Sequence, residues 1–219
     1  MNLLKNRLIW LLLGLFVLAG VMIYPYLPEQ VPSHWNIDGE VDRYSSREFG
    51  AFFPPAMAVG MFLLLGVIPY IDPKGANFKK YGKVYDVFVW LMIIFFVLMG
   101  IITWLAALGY ALSVGKIICA LVALLFIVIG NYLPKIQYRN YTFGIRTPWT
   151  LDNEEVWRQT HRWAGKVMVV GGIIALLGLF ATERVSFWLL MAGVLLPSLG
   201  ATIYSYLLYR KIAGPDKQD

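Results

Sequence analysis

Six apolar runs of membrane-crossing length divide this 219-residue chain, at about residues 8–27, 51–71, 84–108, 116–133, 163–181 and 186–208. A hydrocarbon core of about 30 Å needs roughly 20 apolar residues to cross it as a helix. Lipid offers no partner to a free amide or carbonyl, so segments of this length span as α-helices. Only 15% of the residues are charged and 59% are hydrophobic, which excludes an ordinary soluble domain. The expected fold is an all-α integral membrane protein of six transmembrane helices, both termini cytoplasmic. A cytoplasmic amphipathic helix is expected to lead into the fifth span.

The orientation rests on lysine and arginine. With the N-terminus inside, Lys5 and Arg7, the loop lysines Lys74, Lys79, Lys80 and Lys83, and the bases of residues 134–166 are cytoplasmic. Arg210, Lys211 and Lys217 join them. Arg43, Arg47, Lys116 and Arg184 fall outside, in accord with the positive-inside rule. The net charge of +6 therefore speaks of topology rather than of nucleic acid. The first run is too long for the apolar core of a signal peptide and lacks a clean cleavage site, so it is expected to stay as an uncleaved span. Leu18-Ala19-Gly20 continues with Val21 rather than cysteine, which speaks against lipidation. The single cysteine, Cys119, lies within a span and reads as a packing residue. No repeat of fixed period is visible, beyond a weak pairing of the spans into three hairpins.

The longest polar passage is FGIRTPWTLDNEEVWRQTHRWAGK, residues 143–166. Gly144 and Pro148 bracket a turn around Ile145, Arg146 and Thr147. Asp152 is expected to cap the following helix, with Glu155 in the capping-box position. Arg158, Arg162 and Lys166 recur every fourth residue as a basic stripe, and Glu154 is expected to pair with Arg158. Val156, Trp163, Ala164 and Val167 form an apolar face. The first polar segment, residues 28–50, is net acidic and turn-rich, with Pro32 and Asp38-Gly39 as turn signals. Its Trp35, Ile37 and Val41 suit a segment lying along the outer membrane surface.

GNYLPKI followed by NYTFGIRTPWTLDNEEVWRQTHRWAGK resembles the signature of the SdpI family of bacterial membrane proteins, named for immunity to the SdpC killing peptide. YLPEQVPSHWNIDGEVDRYSS is similar to the outer segment of a small domain of unknown function that often precedes the SdpI region. The resemblance implies an N-terminal two-span domain, residues 1–71, with its extracytoplasmic loop at 28–50. A basic cytoplasmic loop, 72–83, follows, and then a four-span SdpI-like domain, 84–219, with its motif at 134–166. It also implies a function: protection of the producer from a secreted antimicrobial peptide, and signalling by holding a cytoplasmic repressor at the membrane. The cytoplasmic residues put forward for binding are Asn131, Pro134, Asn140, Gly144, Arg146, Thr147, Pro148, Trp149, Asn153, Glu155, Trp157, His161 and Arg162. On the outside they are Pro32, His34, Trp35, Asn36, Gly39, Asp42 and Arg43.

Other chemistries find less support. Asp86, Lys116 and Glu183 sit at span ends, where snorkelling explains them, whereas a proton or ion path would place charge at midspan. Pro69 and Pro197 interrupt spans, but not at the matching places that a transporter built on repeats would need. His34 with Asp38, Glu40 and Asp42 raises a metal, yet one imidazole without a second His or Cys at ligand spacing argues for a binding or folding element instead. His161 and Glu154 share a helix face two turns apart without touching, and no nucleophile motif or phosphate loop is present. Neither catalysis nor a cofactor is expected. The expected partners are the bilayer, a secreted peptide and a cytoplasmic repressor, with no direct contact to nucleic acid. A small-molecule or peptide exporter, and a metal-dependent membrane enzyme, stand as the alternatives. For the basic stripe and its tryptophans, lipid anchoring and partner recognition both remain open.

Overall fold

The computed structural model describes residues 3–213, so Lys217 lies outside the described residues. Six helices are long and apolar enough to cross a membrane. The first, α1 (Arg7–Ile23), is capped by Asn6, whose side chain accepts from the Leu8 and Ile9 amides. A hairpin of β1 (Gln30–Trp35) and β2 (Val41–Ser46) leads into α2 (Arg47–Ile71), capped by Ser46. Then come α3 (Gly82–Ala107), α4 (Val114–Tyr132), the one-turn α5 (Pro148–Asp152), α6 (Glu154–Leu176) and α7 (Glu183–Ala213). Large apolar side chains such as Leu11, Leu18, Leu64, Leu196 and Leu207 stay exposed along these helices, as a lipid-facing surface requires. The six expected spans are all present.

Several local expectations are corrected. Residues 30–46, read as a turn-rich segment, form an antiparallel hairpin that turns at Asp38-Gly39. It pairs Gln30 with Ser46, Val31 with Ser45, Pro32 with Tyr44, His34 with Arg43 and Trp35 with Val41, with irregularities on both sides of His34. Asn36 closes its turn by accepting from the amides of Asp38 and Glu40, both at 3.0 Å. The second span starts at Arg47, so Pro54 and Pro55 fall inside the helix rather than in its first turn. The amphipathic helix expected to lead into the fifth span is present, since α6 runs unbroken from Glu154 into that span. The spans do not pair as three hairpins. The third packs chiefly on the second, while the fourth, fifth and sixth pack together.

Prolines inside spans explain much of this packing. Each lacks the amide that should bond the carbonyl four residues back, and in lipid a free carbonyl is costly. Pro54 frees the Gly50 carbonyl, and the Trp104 indole N–H donates to it at 2.9 Å. Pro69 frees the Leu65 carbonyl, which takes the Tyr85 hydroxyl at 2.9 Å. Both donors sit on α3, so two of the three prolines inside α2 select the same neighbour. In α7, Pro197 frees the Gly193 carbonyl, which faces Gly171 on α6 so closely that a methyl group there would collide with it. Backbone contact of this kind is how small residues bring transmembrane helices together. Gly130 of α4 meets Gly165 of α6 in the same way.

Candidate functional site

Residues 133–152 fold over the end of the helical bundle where α2 stops and α6 begins, and most of their polar atoms are bonded inward. Asn140, fully buried, accepts from the amides of Thr142 at 3.1 Å and Phe143 at 2.6 Å. Asp72, at the end of α2 and only 6% exposed, spends both carboxylate oxygens on neighbours. Oδ1 accepts from the Lys74 amide at 2.7 Å, and Oδ2 from the Tyr141 amide at 2.9 Å and the Thr142 hydroxyl at 2.7 Å. A second tie runs beside it, with the Asn77 amide group donating to the Arg139 carbonyl at 2.8 Å. The Arg139 guanidinium in turn donates to the carbonyls of Leu151 and Asp152. The basic loop and the motif are therefore one folded unit. Within it the Tyr81 phenol is pushed well above its ordinary range by burial, with the Asp72 charge adding to the effect.

His161 holds the turn. Its Nε2 accepts from the Ile145 amide at 3.0 Å, so Nδ1 carries the proton and donates to the Trp157 carbonyl at 2.8 Å. The ring stacks on Trp157, with centroids 4.2 Å apart, and the Trp157 indole donates to the Ile136 carbonyl at 2.7 Å. Both side chains are fully buried. Gly144 lies directly against Nε2 and has φ +103°, a conformation side chains other than glycine's rarely adopt. Both imidazole nitrogens are thus committed to main-chain groups, which makes the ring a structural link between the turn and α6.

The short α5 is capped by a reciprocal pair. Thr147 accepts from the Thr150 amide while the Thr150 hydroxyl accepts from the Thr147 amide. Thr147 also meets the Ser205 hydroxyl at 3.0 Å, Trp149 packs on Tyr206, and Tyr209 donates to Asp152 at 2.9 Å. Three successive contacts therefore pin α5 to the last turns of α7. Asp152 accordingly does not cap α6. Asn153 does, accepting from the Glu155 and Val156 amides. The expected Glu154–Arg158 pair is also replaced: Glu155 takes Arg158 at 2.6 Å, and Glu154 lies 3.6 Å from Arg139.

What this end presents outward is a smaller set. Arg146, Pro148, Arg158, Arg162 and Lys166 are exposed, and Trp149 is half-buried. Arg146 is aimed by a bond to the Tyr141 carbonyl at 2.7 Å. Arg162 and Lys166 border an open pocket of about 260 Å³ with Glu155, Gln159, Trp163 and Tyr204. Among the described residues neither base has an ion-pair partner. Asn131 is exposed at the end of α4, and Pro134 packs against Gly165.

At the opposite end the hairpin lies across both groups of helices. Val31 is fully buried over Gly50, and the tip reaches α7, where Asp38 and Arg184 form a two-pronged pair, each bond 2.9 Å. The hydrogen bonds from that guanidinium hold the Asp38 carboxyl below the usual carboxylate range. His34 donates to Asp42 at 2.6 Å, across the strands. Asp38 and Asp42 are thus each engaged with a cationic or imidazole partner, and the described residues contain no group of three metal-ligating side chains. Pro32, Trp35, Asn36 and Gly39 belong to β1 and its turn, while Asp42 and Arg43 lie exposed on β2.

Sequence reasoning passed over Asp72, Arg139, Thr150, Ser205 and Arg184. Asp72 directly follows α2 and Arg184 lies in the first turn of α7, and neither belongs to a local pattern that names its partner. Thr147 and Thr150, a Thr-Pro-Trp-Thr string, did carry a readable cap signal.

Comparison with known proteins bears on both ends. The model of the SdpI/YfhL protein family matches residues 137–205, and that of a domain of unknown function, DUF1648, matches residues 11–59. The immunity protein SdpI of Bacillus subtilis (strain 168) is 30% identical over 211 residues, which cover 96% of this chain and 98% of that protein. No solved structure matches the chain.

Proposed function

Because the chain belongs to the SdpI/YfhL protein family, we propose that it is an immunity protein of the bacterial cell membrane, which meets a secreted toxic peptide at its hairpin end and a cytoplasmic repressor at its motif end. The observation that carries this reading is the reach of the match, 30% identity over 211 residues, which at 96% of the chain takes in both polar ends as well as the spans. The charge distribution supports the orientation. Lys74, Lys79, Lys80, Lys83, Lys135, Arg139, Arg146 and Arg162 cluster at the motif end, which the positive-inside rule places in the cytoplasm.

The geometry supports a division of labour within the motif. Asn140, Thr147, Thr150, Trp157 and His161 build a rigid turn, and that turn offers Arg146, Pro148 and Trp149 to a partner. Arginine and tryptophan on a rigid support are favoured binding anchors, because little side-chain freedom is lost on contact. The test is survival. In a Bacillus subtilis strain stripped of its own immunity protein and challenged with the SdpC killing peptide, this chain is expected to restore growth. Growth no better than with an empty vector, with the protein present in the membrane, overturns the reading.

A further inference from the structure

Beneath the hairpin, a cavity of about 380 Å³ opens between the two groups of helices. Its floor is apolar, from Met99 of α3, Ile118 and Cys119 of α4, and Phe187 and Leu190 of α7. Its volume is within the range of about 300–1,000 Å³ typical of ligand sites.

Two further observations point to what fits there. The first is the hairpin edge. Ser33, His34, Trp35, Asn36 and Ile37, consecutive in the chain, all border the cavity. No residue of β2 lines the cavity, so the hairpin meets it along the edge of β1 and the start of the turn rather than with the face of both strands. Among the described residues β1 pairs only with β2, so its other edge has unpaired main-chain donors and acceptors. The second is Glu183, the first residue of α7. Its carboxylate lies against Gly39 of the hairpin turn and Gly115 of α4, at the cavity margin. Among the described residues it has no hydrogen-bond or ion-pair partner, because the neighbouring Arg184 is committed to Asp38.

We propose that this cavity is the docking site for an extended apolar peptide segment that aligns along the free edge of β1 and delivers a cationic group to Glu183. Strand addition of this kind gives affinity through main-chain bonds and selectivity through the pockets beside them. A lipid chain would fill the apolar floor but leave the strand edge unused, which favours a peptide. The proposal rests on the reading of the hairpin end as the face that meets a secreted peptide, and it names the site and the chemistry recognised there.

The experiment uses the full chain in nanodiscs of phosphatidylglycerol. The probe is a synthetic six-residue peptide of alternating leucine and valine ending in lysine, compared with the same peptide ending in norleucine. The lysine peptide is expected to bind at least tenfold more tightly. Glu183→Gln should remove that preference, whereas Glu29→Gln, an exposed carboxylate outside the cavity lining, should not. Glu183→Lys should turn the preference toward a peptide ending in glutamate, which separates recognition from misfolding. Equal binding of the lysine and norleucine peptides overturns the site. So does a Glu183-dependent effect of added phosphatidylethanolamine without peptide binding. Survival against the killing peptide is measured alongside. Protection that persists in Glu183→Gln cells, with no lysine preference in the parent protein, overturns the site and leaves the immunity reading standing. A lysine preference without protection does the reverse.

Discussion

The Trp104 indole on α3 donates to the Gly50 carbonyl on α2 at the position where Pro54 has no amide to offer. The proline and the tryptophan are thus two halves of one contact. Trp104→Phe should lower stability by about 1–3 kcal/mol, the cost of leaving a buried acceptor unpaired. Pro54→Ala restores the missing amide, so in the double variant the loss should shrink by about 0.5–2 kcal/mol. Thermal unfolding of the four proteins in detergent measures it. Simple additivity of the two changes would show the contact to be incidental.

Gly144 and His161 set a second expectation. His161→Phe keeps the stacking on Trp157 but leaves the Ile145 amide without an acceptor, at about 1–3 kcal/mol. Gly144→Ala should be worse, since it meets both the positive φ and the imidazole. Protease resistance of residues 141–150 is the readout. A Gly144→Ala protein as resistant as the parent would contradict the assignment.

Asp72→Ala removes one acceptor group from the Lys74 amide, the Tyr141 amide and the Thr142 hydroxyl together. Hydrogen bonds to a charged group contribute about 1.5–3 kcal/mol each, and some of that is recovered through water. Amide exchange should accelerate in residues 73–80 and 140–143 at the same time. Acceleration in one segment only would mean that the two are not clamped to each other.

Arg146→Ala should separate binding from folding, whereas Trp149→Ala also removes the packing of α5 on Tyr206. Arg146 is exposed, so its loss should change stability by no more than about 0.5 kcal/mol. Capture of a cytoplasmic partner should nonetheless fall at least tenfold. Unchanged protection and unchanged capture in both variants would remove these residues from the functional surface.

Asp38 gives a prediction in pH. Its carboxyl is held below the usual value near 3.8, first by the hydrogen bonds from Arg184. A carboxyl with a depressed folded value contributes stability that is full above the usual value and lost as pH falls through the depressed one. The pair is exposed, so the effect is small and screened by salt. Hairpin amide protection, with the intrinsic pH dependence of exchange divided out, should therefore stay constant from neutrality down to about pH 4 and fall only below it, whereas Asp38→Asn should be less protected above that point. A loss of protection between pH 6 and 5 would implicate another group.

The spans were legible because lipid imposes one rule on every residue of a run, so length and apolarity suffice. The hairpin was not. Pro32 lies within β1, the burial of both strands is mixed, and such a pair is stable only on the helices beneath it. Of the motif, the turn around Ile145 was readable from Gly144 and Pro148. Its inward wiring was not, because Asp72, Ser205 and Tyr209 reach it from 57 to 70 residues away. Charge spacing misassigned Glu154, since Arg139, remote in sequence, competes for it.

The Asp38–Arg184 contact joins residues 146 positions apart. Protein chains are made at about 5–20 residues per second, so the hairpin tip waits about 7–30 s after its own synthesis for the arginine that fastens it. Through that interval the two strands have only the first helices beneath them. Fastening of the tip therefore reports that the last helix has entered the bilayer in the right direction, and a newborn chain with that helix reversed would be left with its hairpin loose.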